Sequence, residues 1–371
     1  MPNVTYVFKT GRKEDFINNA LRANDFYYGA KEFKKQKFLV NIIEYKKNYE
    51  KKSKFLLFVD KVLVKITKFP FSTSKLITAK NFKIFLKSDL IFLINESVSL
   101  SFLPFAIILK LFKKTKINIF LMGISNFDNK NKGTSYIQRL ITILLFNFSD
   151  NIYFLGKGEL NYANSNYHKY SKKFKFISFA IDYDFWHQVS ANHSSSKSGI
   201  LFVGNDEMRD FDLLYKIANR IHNIHFTIVT QKISKNYLLS PNITIIAGSL
   251  HDKKISDLEL AKLYTNAKIV IIPLKDSLQP SGQSVAMQAM ASNTPVVISK
   301  TKGFWDFDSF KDKHNIFFVD PNNLENWVNL VRKIYKDEKL LIKITNNANN
   351  LIYKKYNTQN FYKFLLKDNF E

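Results

Sequence analysis

The chain has 371 residues, of which 46% are hydrophobic and 23% are charged. This length suits two domains of ordinary size, and the composition excludes a disordered protein. The sequence contains no cysteine, which excludes disulfide bonds, thiolate metal sites and a cysteine nucleophile. Most of the net charge of +25 lies in residues 1–190, so we expect this half to be attracted to polyanions such as anionic lipid or nucleic acid.

No segment of the sequence predicts a membrane span. The most apolar run, residues 102–109, contains Pro104 and is far shorter than the roughly 18 residues that a span needs. The N-terminus has the pattern of a short strand and a polar loop, and not of a signal peptide. We therefore expect a cytoplasmic protein. Residues 54–71 mix lysines with apolar residues, which is typical of a segment resting on the inner membrane face or of a core helix with exposed lysines.

Short apolar runs alternate with helical segments along the first half of the chain. This alternation is typical of a parallel sheet covered by helices on both faces. The predicted strands are residues 4–9, 38–43, 90–94, 117–122, 151–155 and 174–179. A predicted helix follows the aromatic cluster at residues 26–29, and further predicted helices lie near residues 100–112 and 135–148.

The second half repeats the pattern after a small, polar stretch at residues 190–198. Its predicted strands are residues 199–204, 225–230, 243–247, 269–273, 295–299 and 316–319, and its predicted helices are 211–221, 257–266, 282–291, 324–336 and 338–356. We predict an α/β protein of two doubly wound domains. Residues 1–185 form the first domain, 186–198 a linker, 199–355 the second domain, and 356–371 a helix that returns to the first.

Residues 269–299 carry the clearest ligand-binding pattern, a strand, a loop, a helix and a second strand. Gly282, at the start of the helix, lets a ligand approach the backbone closely. The free N–H groups and the dipole of a helix N-terminus favour an anion such as a diphosphate. Ser281 is a good N-cap residue for this helix, and a capped helix without a ligand is the alternative interpretation.

This segment resembles the donor-binding motif of family 4 and related glycosyltransferases of the GT-B type. The resemblance rests on residues 288–291, Gln-Ala-Met-Ala, and residues 294–297, Thr-Pro-Val-Val. It implies that Gln288 takes the place of the family's second Glu and hydrogen-bonds the ribose hydroxyls, as an amide can. Pro280 stands at the first Glu, so Ser281, Gln283 and Ser284 are the replacements that we expect to contact the donor.

Two further segments resemble the same family. In residues 199–212, Gly204 matches the family glycine, Asn205 stands where Arg is usual, and Arg209 falls near a Lys that clasps the diphosphate. A surface ion pair with a neighbouring aspartate is the alternative for Arg209. Lys275, after a strand end, is the second candidate cation. Residues 179–186, Phe-Ala-Ile-Asp-Tyr-Asp-Phe-Trp, resemble the junction between the family's domains.

The resemblance implies a GT-B fold, with two Rossmann-like domains that face a cleft. It also implies that the protein moves a hexose from a nucleotide-diphosphate sugar, with UDP-sugar favoured. We expect a lipid or other membrane-borne acceptor, including a lipid-linked glycan, and neither a metal ion nor a cofactor. Glu96 and Asp128, on strand-end loops, are candidates for the catalytic base, or are loop caps or solvated acids. Two alternatives stay open, a sugar-nucleotide epimerase of the same fold and a nucleic-acid-binding protein. We expect no nucleic acid, because the lysines are dispersed.

Overall fold

The computed structural model describes residues 1–18, 22–45, 53–113, 115–126, 132–191, 196–232, 240–248 and 255–371. The chain divides into two compact units. The first comprises Met1–Ala20, Gly29–Ser178 and Leu278–Pro280, and the second comprises Leu21–Tyr28, Phe179–Ser277 and Ser281–Glu371. Residues 356–371, which we expected to return to the first domain, belong to the second unit in this division, as do residues 179–198 around the predicted linker.

Parallel strands form the sheet of the first unit, in the order β2-β1-β3-β4-β5-β6. Its strands are β1 (Asn3–Phe8), β2 (Leu39–Glu44), β3 (Leu90–Ile94), β4 (Lys116–Leu121), β5 (Asn151–Phe154) and β6 (Phe174–Phe176). Its helices are α1 (Lys13–Ile17), α2 (Ala30–Lys35), α3 (Lys54–Thr67), α4 (Ala79–Lys87), α5 (Glu96–Phe112), α6 (Lys132–Asn147) and α7 (Lys157–Asn166).

Helix α5 shows how the sequence builds this core. It begins at Glu96, earlier than predicted, because Asn95 Oδ1 accepts a hydrogen bond from Val98 N at 3.0 Å and caps the first turn. Strand β3 beneath it is buried along its whole length. Phe102 and Phe105 of α5 pack on Phe85 of α4, with ring centroids 4.8 and 5.2 Å apart. The aromatic residues therefore hold the helices against the sheet.

The second unit has a parallel sheet in the order β12-β11-β10-β7-β8-β9. Its strands are β7 (Ser198–Val203), β8 (Phe226–Thr230), β9 (Ile243–Ala247), β10 (Ala267–Ile272), β11 (Val296–Ser299) and β12 (Phe317–Val319). Its helices are α8 (Tyr183–Ala191), α9 (Phe211–Arg220), α10 (Asp257–Asn266), α11 (Gln283–Ala291), α12 (Leu324–Tyr335), α13 (Glu338–Lys355) and α14 (Thr358–Phe370).

Strand order in the second unit is that of a Rossmann sheet. From β7, the strands β8 and β9 extend the sheet toward one edge. The chain then crosses back, and β10, β11 and β12 extend the sheet toward the other edge. The order therefore reverses between β7 and β10, the place where such sheets bind ligands at the carboxyl ends of their strands. The predicted α/β fold of two doubly wound domains is confirmed.

The structure adds elements that the sequence pattern did not predict. Helices α1, α4, α7 and α8 were not predicted, and α8 occupies residues 183–191, where the linker was expected to begin. Residues 192–195 of that linker lie outside the described residues. No helix in the part of the chain that the structure describes is long and apolar enough to cross a membrane.

Candidate functional site

The switch point of the second sheet brings together two loops. The loop after β7 runs beside the segment after β10, with Asp210 N donating to Pro273 O at 3.0 Å and Lys275 N donating to Met208 O at 2.9 Å. Arg209 also forms an antiparallel bridge with Leu274. This pairing fixes the position of Arg209 relative to the helix that follows β10.

Arg209 is a buried cation at the N-terminus of α11. Its Nη1 donates to Ser281 Oγ at 2.7 Å and lies 3.0 Å from Asp206 Oδ2. Burial lowers the pKa of the guanidinium and Asp206 acts in the opposite direction, and an arginine remains charged in such surroundings. The predicted pairing with Asp206 is present, but only 4% of the Arg209 side chain is exposed, so it is not a surface ion pair.

Gly204 provides the space that Arg209 occupies. A Cβ atom at Gly204 would lie 2.4 Å from Arg209 Nε and 2.8 Å from its Cγ. The arginine therefore crosses directly over the glycine.

Gly282, and not Ser281, is the N-cap residue of α11. Its φ is +81°, a conformation that favours glycine, and a Cβ atom there would lie 3.1 Å from Ile272 Cγ2 and 3.2 Å from Ile298 Cδ1. The side chain of Ser281 is engaged by Arg209 instead of capping the helix. The N-cap residue of α11 makes no side-chain hydrogen bond to the first turn, and the N-terminus of a helix is a place where anions bind.

A cavity of about 330 Å³ opens beside these residues, large enough for a small ligand. Of the residues predicted to contact a donor, Gly204, Arg209 and Ser284 line it. The other lining residues are Phe26, Val203, Asn205, Asp206, Val229, Gly248, Ile255, Leu260 and Val285. All belong to the second unit, which includes Leu21–Tyr28.

Asn205 joins three strand ends around the cavity. Its Oδ1 accepts from Gln231 N at 2.5 Å and from Thr230 Oγ1 at 3.1 Å, at the end of β8. Its Nδ2 donates to Gly248 O at 3.1 Å, after β9. Where the resemblance expects an arginine, this chain has an amide whose donor and acceptor hold the loops together. The sequence alone did not indicate this role.

Gln288 lies in a buried network and is not among the residues that line the cavity. Its Nε2 donates to Asp25 Oδ2 at 2.7 Å, and its Oε1 accepts from Tyr264 Oη at 3.1 Å. Asp25 also accepts from Trp186 Nε1 at 3.0 Å and from Asp182 N at 2.6 Å. Burial raises the pKa of Asp25 to about 7. This network ties Leu21–Tyr28, the segment that carries Phe26, to the rest of the second unit.

The remaining donor candidates stand apart from the cavity lining. Lys275 is exposed and Gln283 is buried at the first position of α11. Pro280, at the position of the family's first Glu, packs in the first unit, where a Cβ atom on Gly156 would lie 3.0 Å from Pro280 Cβ.

Two buried glutamates hold the loop that follows β4 in the first unit. Glu96, at the start of α5, accepts a hydrogen bond from Met122 N, and burial raises its pKa. Glu159, on α7, accepts from Ser125 Oγ at 3.3 Å. Burial, followed by the charge of Glu96, raises the pKa of Glu159 to about 8. Glu159 was not predicted, and Asp128 lies outside the described residues.

We expect Glu159→Gln to reveal this titration in the stability of the protein. A raised pKa in the folded state means that the charged carboxyl destabilises the fold above that pKa. Wild type should therefore gain stability relative to the variant as the pH falls from about 9 to about 5. Urea denaturation at several pH values measures the difference. Glu338→Gln, at a carboxyl that is 77% exposed, is the control, and an equal pH dependence in both variants would contradict the assignment.

Gly204→Ala should weaken the binding of a nucleoside diphosphate by about tenfold or more, because its methyl group displaces the guanidinium of Arg209. Isothermal titration calorimetry measures the affinity. The double variant Gly204→Ala, Arg209→Ala should bind no worse than Arg209→Ala alone. Additive losses would show that Gly204 acts independently of Arg209.

Among the described residues, no group of three or more His, Asp or Glu side chains is placed to hold a metal ion. The polar residues that line the cavity include Arg209, Ser284 and Asn205.

Solved structures with the same fold cover almost the whole chain. A glycosyltransferase from Rickettsia africae aligns over 99% of this chain and 97% of its own, with 12% identity and a TM-score of 0.67. Sucrose-phosphate synthase from Thermosynechococcus elongatus aligns over 99% and 98%, with 13% identity and a TM-score of 0.67. Anabaena HepE, solved in complex with UDP-glucose, aligns over 99% of both chains, with 11% identity and a TM-score of 0.65. The predicted GT-B fold is confirmed.

A sequence relative covers only part of the chain. A glycosyltransferase of Methanocaldococcus jannaschii, itself uncharacterised, is 36% identical over 166 residues, which are 44% of this chain and 35% of that protein. The chain thus spans about a third of the length of this relative. The narrower resemblance to family 4 stays a prediction. Residues 188–351, which contain the cavity's Gly204, Arg209 and Ser284, match the family model described as glycosyl transferases group 1.

Proposed function

We propose that this chain is a glycosyltransferase that moves a hexose from a nucleotide-diphosphate sugar to a lipid or other membrane-borne acceptor. The observation that supports it most is the buried Arg209, which lines the cavity and donates to Ser281 beside the N-terminus of α11. A cation and a helix N-terminus stabilise a departing diphosphate, because negative charge develops on it as the glycosidic bond breaks.

A UDP-sugar is the first donor to test. HepE, which shares the fold, was solved with UDP and with UDP-glucose. In our proposal the diphosphate lies between Arg209 and the first turn of α11, near Ser281, Gly282 and Ser284. Gln283 and Lys275 are the further donor contacts that we propose. In our proposal the donor is bound without a metal ion. The contacts of Gln288 favour a structural role for it over a contact with ribose.

For the acceptor, the support is the excess of positive charge in the first half of the chain. Positive charge suits an acceptor held at an anionic membrane surface, so we propose that the protein acts at the inner membrane face. Asp128 and Glu96 are our candidates for the catalytic base. The engagement of Glu96 by Met122 N favours Asp128, which follows β4 in the sequence.

A donor screen tests the proposal. Thermal denaturation is followed with UDP, GDP, UDP-glucose, UDP-N-acetylglucosamine and GDP-mannose, and the stabilising donor is then incubated with lipid acceptors. We expect stabilisation by one class of nucleotide and transfer of sugar to lipid. No stabilisation by any nucleoside diphosphate would refute the proposal. Turnover of the donor to an isomeric or free sugar, equal with and without acceptor, would support the epimerase alternative instead.

A further inference from the structure

Helix α3 turns apolar side chains outward. Phe55, Phe58 and Ile66 are 72%, 64% and 51% exposed, although bulky apolar residues on a surface helix normally face the core. They follow one another at intervals of three and eight residues, which places them along one side of the helix. The first unit thus presents an apolar stripe to its surroundings.

The opposite side of α3 is anchored by its one acidic residue. Asp60 is buried, and its two carboxylate oxygens each accept a hydrogen bond of 3.0 Å, from Thr73 N and from Ser74 N. Rotating the helix to bury Phe55 and Phe58 would break these bonds and leave buried N–H groups unpaired. The outward orientation of the aromatic residues is therefore fixed by the fold.

Helix α6 lies beside α3 and also exposes apolar side chains. Gln138 Nε2 donates to Thr67 O at 2.9 Å, which joins α6 to the end of α3. On the outward side of α6, Tyr136, Leu140 and Leu144 are 67%, 48% and 37% exposed. We call the exposed sides of these two helices the α3–α6 surface.

The charge of the α3–α6 surface has one sign. Lys54, Lys61 and Lys65 are exposed on α3, and Arg139 is exposed on α6. The only acid in the sequence of α3 is the buried Asp60, and the sequence of α6 contains none. Exposed aromatic residues flanked by lysines suit a layer with an apolar interior and anionic headgroups.

We propose that the α3–α6 surface binds the anionic surface of a lipid bilayer. A second copy of this chain is a poorer occupant, because its own lysines would face those of the first copy across a symmetric contact. This inference deepens the proposed function and rests on it for its purpose. Ser97 Oγ, at the start of α5, donates to Pro70 O at 3.0 Å, so the chain leaving α3 reaches the carboxyl edge of the first sheet. The bilayer would therefore lie near the edge where a ligand of that sheet binds.

Vesicle co-sedimentation of the full chain tests the proposal. Vesicles of phosphatidylcholine alone are compared with vesicles that contain phosphatidylglycerol. We expect binding to the anionic vesicles, weakened at least about tenfold by Phe55→Ser, Phe58→Ser. Lys61→Gln, Lys65→Gln should weaken it roughly fivefold for each lysine removed.

A matched control lies at the end of α5. Leu111 and Phe112 are 70% and 80% exposed, but the adjacent Lys113 donates to Leu86 O and Ser88 O, before the start of β3. They therefore lie at the amino edge of the sheet, and Leu111→Ser, Phe112→Ser should bind vesicles like wild type. Equal binding to neutral and anionic vesicles would overturn the proposal. Equal losses of binding in Phe55→Ser, Phe58→Ser and in Leu111→Ser, Phe112→Ser would overturn it as well.

Two parallel measurements separate the remaining explanations. Analytical ultracentrifugation without lipid reports self-association, and a dimer that is lost in Phe55→Ser, Phe58→Ser would show that a second copy occupies the surface, against the proposal. Donor-induced thermal stabilisation of each variant reports the fold and the donor site. Loss of donor binding in wild type, with vesicle binding intact, would refute the proposed function and leave the membrane surface standing.

Discussion

Replacing Gln288 by Glu is expected to destabilise the second unit by about 3–5 kcal/mol near neutral pH, because it sets two carboxylates against each other in the interior. The amide of Gln288 donates to Asp25 Oδ2 at 2.7 Å and accepts from Tyr264 Oη at 3.1 Å. A glutamate keeps the second hydrogen bond and loses the first. For a unit of this size the melting temperature should fall by about 6–20 °C, as measured by differential scanning calorimetry.

The stability lost in Gln288→Glu should be larger at high pH than at low pH. Burial already raises the pKa of Asp25 to about 7, and a second carboxylate at 288 would raise it further. A carboxyl with a raised folded-state pKa destabilises the fold above that pKa, and the penalty fades as the pH falls through it. Below it, a proton shared by the two carboxylates replaces the lost N–H donor. Gln288→Glu should therefore differ least from wild type near about pH 5 and most above about pH 8.

Exchanging the two groups should restore the stability. In Asp25→Asn, Gln288→Glu the asparagine oxygen still accepts from Trp186 and Asp182, while its amide donates to the new carboxylate. Asp25→Asn alone should be mild, since Gln288 can turn its oxygen toward the introduced amide and donate to Tyr264 Oη instead. A double variant no more stable than Gln288→Glu would contradict a direct pairing of residues 25 and 288.

The pair explains why this chain departs from the motif that it resembles. A glutamate at 288 suits a site that binds hydroxyl groups, but here an aspartate already occupies the space beside it. The two residues are 263 positions apart, and Asp25 precedes the aromatic cluster Phe26-Tyr27-Tyr28. A periodic pattern reports the local burial of a side chain and carries no information on a partner so distant. The pairing could therefore be found only in the structure.

The fold was accessible from the sequence because both sheets are parallel. Strands that are buried on both faces are short apolar runs, and each strand of the two sheets lies on a run that predicted it. Helix α7, with the sequence KGELNYANSN, was not predicted because it has no continuous apolar face. Helix α8 was not predicted because its local pattern suits an aromatic residue at a strand end. Its Trp186 is buried through a hydrogen bond to Asp25, which is distant in the sequence.

The site was predictable to the extent that it depends on strand ends. Gly204 and Arg209 follow β7 closely, so a local motif was enough to propose them. Glu159 follows the end of β5 as Glu96 follows β3, and that shared position is the signal by which it could have been found. The role of Asn205 depends on loops after two other strands, which no single segment of sequence indicates.

Arg209→Ala should weaken the binding of a nucleoside diphosphate by roughly 10- to 150-fold, the loss expected for charge-assisted hydrogen bonds. The guanidinium is buried beside the N-terminus of α11 and lines the cavity, so a diphosphate there would meet it directly. Arg209→Lys should recover only part of the affinity, because an ammonium group lacks the planar fork that binds two phosphate oxygens. Isothermal titration calorimetry with the best-binding nucleoside diphosphate gives the values.

A comparison with the nucleoside alone distinguishes a phosphate contact from a structural role. If Arg209 binds phosphate, Arg209→Ala weakens the diphosphate and leaves the affinity for the nucleoside unchanged, whereas a distorted cavity weakens both alike. Asp206→Asn provides a second check, since Asp206 Oδ2 lies 3.0 Å from Arg209 Nη1 and competes with an incoming anion. Its removal should leave the affinity for the diphosphate equal or increase it. Reduced affinity in Asp206→Asn would mean that the carboxylate positions the guanidinium, and equal losses for nucleoside and diphosphate in Arg209→Ala would remove Arg209 from the donor site.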